Sequence, residues 1–409
     1  MNSSTDITAT ESATTQHPLR NPNFRRWLLG GSVSLLGDQF YLVALPWLVL
    51  ELTGSALALG TVMMAGAIPR VVMMLFGGAA SDYVSARKIM MATATARAVC
   101  VAAIGIMVWY GTMRMWELYA VVVLFGLSDA FAAPAASAYL PSLVTRDQMV
   151  PASSLRQTSA QLSTIIGPVP AGYIVNALGV ASAFLIDALS FVFIIAALWN
   201  LPDPSVSGSA HKNVLHAITE GIAYVVRDVP LRVFMLLAAM LNFCISGPVV
   251  VGLAYLTRTN LGSAATYGLM ISAVAAGSLL GAVLAGVWKM PRRGMLIVFA
   301  SFVLAICLGS IGLLPNAWSI GGVLFVMGTT AGLVNVHIGA WIMQRIEASL
   351  RGRVSSVLML ASVGMAPISL AAAGFLVAWS LKGMFLIAGA AMLLTAAGAG
   401  LKKSVREIT

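Results

Sequence analysis

Asp38, Arg70, Arg97 and Asp129 stand deep inside long apolar stretches, two acids and two bases within the first third of the sequence. A charge at the centre of a bilayer costs about 3 kcal/mol or more, so residues of this kind pair with one another and mark ion or substrate pathways. Their balanced signs point to pairing around a polar site. A carboxylate withdrawn from water holds a proton more tightly, and a guanidinium brought beside it drives that proton off. An Arg that can be displaced from an Asp therefore provides a means of loading and unloading a proton. Asp38 or Asp129 is the candidate carrier and Arg70 or Arg97 the candidate displaceable partner. A static set of ion pairs holding the N-terminal half together is the alternative reading.

The surrounding segments must position these four residues in lipid. Of 409 residues, 59% are hydrophobic and 9% charged, the composition of a polytopic membrane protein. Apolar runs predict twelve spans, near 24–50, 55–79, 88–109, 116–139, 152–176, 180–200, 231–255, 264–288, 294–314, 318–341, 354–379 and 382–401. Runs this long and apolar on every face predict helices, since barrel strands are shorter and alternate. The fold class expected is an all-α integral membrane bundle. Gly277 with Gly281 and Gly328 with Gly332 have the four-residue spacing that lets membrane helices approach closely.

Placing the N-terminus in the cytoplasm puts all but five of the 24 Lys and Arg residues on the inner side. Arg114, Arg258 and Lys382 fall outside, Arg70 and Arg97 lie within spans, and both termini are then cytoplasmic. Because the bases are dispersed over alternate loops, the net charge of +10 reflects topology and not a nucleic-acid footprint. The Ser- and Thr-rich residues 1–22 read as a disordered cytoplasmic tail, with 402–409 as a second, C-terminal one. A Pro, Ser and Gly-rich connector opens the segment 201–230, which separates six spans at 23–200 from six at 231–401. Within it Val214, Ile218, Ile222 and Val225 recur at helical spacing opposite Lys212, His216, Glu220 and Arg227. That pattern fits a helix along the inner membrane surface or a packed linker. Cys100, Cys244 and Cys307 lie in spans as small apolar residues and imply neither disulfide nor metal framework. With no Gly-Lys pair there is no phosphate-cradling loop, and no constellation of catalytic His, Ser or Cys occurs, so neither an ATP-driven pump nor an enzyme is expected.

Between the second and third spans runs Gly78-Ala79-Ala80-Ser81-Asp82-Tyr83-Val84-Ser85-Ala86-Arg87-Lys88. A Gly, an Asp four residues on and a basic cluster resemble the signature loop of the major facilitator superfamily, with Tyr83, Ser85 and Ala86 departing from it. Pro141-Ser142-Leu143-Val144, Ala152-Ser153-Ser154-Leu155, Ile166-Gly167-Pro168-Val169-Pro170-Ala171-Gly172 and Phe184-Leu185-Ile186-Asp187-Ala188 extend the likeness. With Asn23-Phe24-Arg25, Ala44-Leu45-Pro46 and Arg351-Gly352-Arg353-Val354-Ser355-Ser356, they look like the branch containing macrolide-efflux and enterobactin-export proteins. The resemblance implies two pseudo-symmetric six-helix bundles with a substrate site at the midplane between them. It also implies a cytoplasmic gate of Gly78, Asp82, Arg87 and Lys88 facing Arg353, and a fifth-span pivot at Gly167, Pro168, Ala171 and Gly172 associated with antiport.

From a rise of about 1.5 Å per residue, Asp38 lies roughly 21 Å from the inner end of its span, Arg70 and Arg97 roughly 14 Å, and Asp129 roughly 15 Å. These depths bracket the midplane of a hydrocarbon core about 30 Å thick. Ser34, Asp38 and Tyr41 share a helical face with Gln39 beside it, and Phe125, Ser128, Asp129 and Ala132 share another. In the superfamily, spans one, four, seven and ten line the cavity, which adds Asn242, Ser246, Thr329 and Asn335 as polar contacts and Trp47, Tyr119, Phe131 and Phe243 as apolar ones. His337 is expected to be a hydrogen-bonded packing residue, and Asp187 a structural one at a family-like position. The resulting expectation is a monomeric, cofactor-free secondary transporter of the bacterial cytoplasmic membrane, whose partners are the bilayer, a small-molecule substrate and protons. It would export small amphipathic molecules, drug- or siderophore-like. A lipid or lysolipid transporter and a facilitative importer are the alternatives.

Overall fold

A computed structural model describes residues 17–203, 214–288, 293–347 and 350–401, and among them every regular element is a helix. The tails expected at 1–22 and 402–409 fall largely outside the described residues, as does Lys212. The first six spans are Pro22–Thr53, Ala56–Tyr83, Ala86–Trp109, Met115–Tyr139, a fifth in two segments, Met149–Ile166 and Pro168–Leu178, and Val180–Trp199. A linker helix, Val214–Arg227, precedes Val229–Leu261, Ala264–Val287, Arg293–Ser310, Ala317–Arg345, an eleventh span in two segments, Arg351–Val363 and Ala366–Trp379, and Leu381–Leu401.

Local chemistry fixes several boundaries. Asn21 accepts from the amides of Asn23 and Phe24 at 2.9 and 3.4 Å, capping the first span just before Pro22. That span ends where Gly54 takes a left-handed conformation, φ 61°. Ser263 and Asn316 cap the eighth and tenth spans in the same way as Asn21. Pro168 and Pro367 each remove one helical hydrogen bond and sit where the fifth and eleventh spans divide.

Eleven of the described helices are long and apolar enough to cross a membrane. The fifth falls short of that standard because Met149–Ile166 carries Ser153, Ser154, Arg156, Gln157, Thr158, Ser159, Gln161, Ser163 and Thr164. Two of its polar groups bond neighbouring spans: Ser159 lies 2.5 Å from Ser32 of the first span, and Gln161 donates to the carbonyl of Ala275 in the eighth at 3.4 Å. Counted with the other eleven, it completes twelve.

The first span packs on the sixth, the second on the fourth, and the third on both the fourth and sixth; in the second half the eighth packs on the tenth and the ninth on the twelfth. Gly277, Gly281, Gly328 and Gly332 make the eighth–tenth contact, where a Cβ on any of them would strike main-chain atoms of the other helix. The linker helix packs one face on the second half: Val225 is fully buried in a cluster with Leu231, Trp341, Ile346 and Val354, while Ile222 and Val226 are exposed. The two halves meet through the second and eleventh spans and through Pro168–Leu178 against the eighth. Gly60 faces Gly374 in the first contact, and Gly172 with Gly268 lets main chains touch in the second. Arg258 adds a cation–π contact 5.1 Å over Trp47. All these contacts lie toward the span ends away from the Lys- and Arg-rich loops.

Candidate functional site

The four charges that the sequence scatters over four helices converge on one network. Arg97 donates through Nη2 to Asp38, and its Nη1 lies 3.4 Å from Asp129 Oδ1. Arg70 reaches the other oxygen of Asp129, with Nε 3.0 Å from Oδ2. Arg97 is therefore shared by two carboxylates, and Asp129 by two guanidiniums.

The two arginines differ in their surroundings. Arg97 is only 7% exposed, and its guanidinium carbon lies 5.0 Å from the Phe125 ring centroid and 4.5 Å from that of Phe191. Tyr41 stacks on Phe125 at 4.2 Å, bracing this wall. The side chain of Arg70, by contrast, is 59% exposed. A buried, ring-clamped cation is held in place, whereas an exposed one can leave its partner at small cost.

Behind the network, Asp187 is wholly buried. Ser190 donates to its Oδ1 at 3.3 Å, while Oδ2 has no partner. Its carboxyl packs against Gly37, where a Cβ would sit 2.7 Å from Oδ1. Asp187 is thus a fifth ionisable group close to Asp38 and Arg97. The available signal was an acid within the apolar run Phe184–Ile195.

Below the network a cavity of about 290 Å³ runs through the N-terminal half, lined by Trp27, Leu28, Ser34, Leu35, Asp38, Arg70, Met90, Arg97, Asp129, Ala132, Arg156 and Phe191 among others. Most of the lining residues away from the network come from the ends of their helices nearest the basic loops. A second, wider space of about 420 Å³ lies between the halves, lined by Gln39, Gln161 and Thr164 against Val249, Ile271 and Ser278.

The other expected positions divide. Ser34 lines the first cavity and Gln39 the second, and Tyr41 and Phe125 form the wall over Arg97. Ser128 donates back to Leu124, Asn242 to Ala238 and Thr329 to Phe325, each a bond within its own helix. Asn242, Ser246, Thr329 and Asn335 line neither cavity. Tyr119 hydrogen-bonds Thr61 at 2.6 Å, and His337 is held by the carbonyls of Leu333 and Trp288 at 2.9 and 3.2 Å.

Of the gate residues, the surroundings of Gly78 and the side chain of Asp82 lie outside the described residues. Arg87 donates to the carbonyls of Leu198 and Trp199 at 2.8 and 2.6 Å, and Lys88 lies 3.7 Å from Asp203, so both bind the end of the sixth span within their own half. Arg353 pairs with Glu220 of the linker helix. At the fifth-span break, Gly167 packs on Gln39, and Pro168 and Gly172 touch Gly268 and Ala264 of the eighth span.

The arrangement carries charge-pairing and ligand-holding groups, with no cluster of three His, Cys, Asp or Glu able to hold a metal among the described residues. Residues 13–408 match the model of a family described as transmembrane secretion effector. The multidrug efflux pump Tap of Mycolicibacterium fortuitum is 29% identical over 398 residues, covering 91% of this chain and 93% of its own. Macrolide efflux protein A of Streptococcus pyogenes is 24% identical over 342 residues, covering 80% and 82% respectively. Among solved structures, the nucleoside transporter NupG superposes with a TM-score of 0.76 at 12% identity, over 92% of this chain and 99% of its own. A bacterial homologue of the iron transporter ferroportin gives 0.71 at 17% identity, over 94% and 98%. The chain therefore belongs to the transmembrane secretion effector family, and is a major facilitator superfamily transporter of the macrolide-efflux branch.

Proposed function

We propose that this transporter exports small amphipathic molecules in exchange for protons, by alternating access with coupling in its N-terminal half. The observation that carries this reading is the unequal hold on Asp129: Arg97 is buried and clamped between rings, while Arg70 is exposed on the span that reaches across to the other half. With the basic loops on the cytoplasmic side, the first cavity opens inward and the seam at Gly60–Gly374 closes the outer end. The cycle requires the second span to shift against the fourth as the halves rock. When Arg70 leaves Asp129, a proton can take its place as the neutralising charge, and its return expels that proton. Arg97 stays and keeps Asp38 and Asp129 in register.

The relatives named multidrug and macrolide efflux proteins support export of drug-like cargo. The test is transport in proteoliposomes and efflux of a compound panel from cells, each with and without an uncoupler, for wild type, Asp38→Asn, Asp129→Asn and the double variant. Loss of proton-driven transport in Asp129→Asn is expected. Intact coupling in all three variants would overturn the carrier role, and efflux unaffected by expression across the panel would overturn drug export in favour of siderophore-like or lipid cargo.

A further inference from the structure

Toward its open end the first cavity keeps hydrogen-bond donors that nothing else in the protein uses. Arg156 Nε is buried without a partner, and among the described residues no acid pairs with this guanidinium. Trp27, 4% exposed, has an indole Nε1 that is likewise unpartnered. Both residues line the same cavity. The contact between Ser32 and Ser159 sets their level, since Leu28 and Arg156 each lie about one helical turn below that pair. Trp27 is then about 16 Å along the first span from Asp38. The wall between is formed by Leu28, Leu35, Ala132 and Ala133 with the hydroxyls of Ser32, Ser34, Thr93 and Ser159 and carries no further charge.

The charges of the cavity do not cancel. Asp38 and Asp129 are taken up by Arg97 and Arg70, so the third lining guanidinium, Arg156, has no counter-ion there. A buried donor left without an acceptor is costly unless a ligand supplies what the protein omits, and the part-buried Arg156 guanidinium carries such a donor at Nε. The volume of about 290 Å³ suits a small drug-sized body.

We infer that this mouth binds the acidic group of a small amphipathic organic anion, most simply a carboxylate, between Arg156 and the Trp27 indole, with the apolar body lying toward Phe191. The inference rests on the reading of this cavity as a substrate path and adds the chemical class of its cargo. A charge-assisted pair made only by the ionised ligand provides the selectivity.

The test is equilibrium binding of radiolabelled 1-naphthylacetate and its neutral amide, which share one apolar body, to purified full-length protein in phosphatidylcholine nanodiscs. Wild type is expected to prefer the acid by about tenfold or more. Arg156→Gln should bring the acid-to-amide ratio near one, Arg156→Lys should retain most of the preference, and Trp27→Phe should weaken the acid several-fold. Monodispersity and thermal unfolding of each variant report folding. Binding of the amide as tightly as the acid would overturn the anion site while leaving the efflux reading standing, since the compound panel decides that separately. Binding of neither probe would also overturn it, as would displacement of the acid by phosphatidylglycerol in the disc, which would assign Arg156 to a lipid phosphate.

Discussion

Replacing Gly60 and Gly374 together with Ala should force the seam between the halves apart. A Cβ on Gly60 would lie 2.6 Å from the Leu370 carbonyl oxygen and 3.0 Å from Gly374 Cα. One on Gly374 would lie 2.7 Å from the Ala56 carbonyl oxygen and 3.0 Å from Gly60 Cα. Every obstructing atom is main chain, so no side chain can swing aside. Recovering ordinary contact near 3.5 Å requires the helices to separate by about 1 Å. Overpacking of this kind costs about 1–3 kcal/mol. Charged to the state in which the seam is closed, it shifts the equilibrium toward the open seam by about 5- to 150-fold. Spin labels on Leu57→Cys and Trp379→Cys, both exposed at these ends, report the separation by pulsed electron–electron resonance once Cys100, Cys244 and Cys307 are replaced by Ala. The Gly60, Gly374 parent should show a dominant short-distance population and the double Ala variant a longer one. An unchanged distance distribution in monodisperse double variant would refute the argument that glycine contact holds the seam.

Arg97→Gln should lower stability by about 3–5 kcal/mol, because two carboxylates lose a buried partner, whereas Arg70→Gln should cost less than about 1 kcal/mol given its exposed side chain. Thermal unfolding of the purified variants checks the order, and equal losses would contradict the clamp assigned to Arg97. Gly37→Ala should cost about 1–3 kcal/mol through collision with Ser190 and Asp187. Adding Ser190→Gly should recover part of that loss, and no recovery in the melting curve would place the strain elsewhere. The link from Asp228 to Arg345, with Nε and Nη2 both 3.0 Å from Oδ2, is part-exposed, so a double-mutant cycle should give about 1 kcal/mol or less, declining with added salt.

How much the sequence disclosed varied with the kind of signal. Asp38, Arg70, Arg97 and Asp129 stood out because a charge in lipid is expensive, and their depths agreed with a shared level. Asp187 was visible as an acid in an apolar run, yet its place behind Gly37 depends on how the first and sixth spans pack. Asn242, Thr329 and Ser128 read in the sequence as polar residues on expected cavity helices, and the structure adds that each bonds its own helix four residues back. Arg156 is one of the inner-side bases that topology alone accounts for in the sequence. Its lack of a partner becomes visible once every neighbouring acid has been located.

By itself the sequence determined the solvent, the number of spans and the superfamily, because hydropathy, helix length and signature loops are local properties read along one chain. Tertiary structure alone decided which charges pair, which arginine is clamped and which exposed, and where the halves touch. Those depend on side chains from separate helices meeting in space, and burial has no fixed spacing in sequence. The result is a cavity whose end nearest the basic loops retains the Arg156 Nε and Trp27 Nε1 donors without acceptors, beneath a network in which every other lining charge is paired.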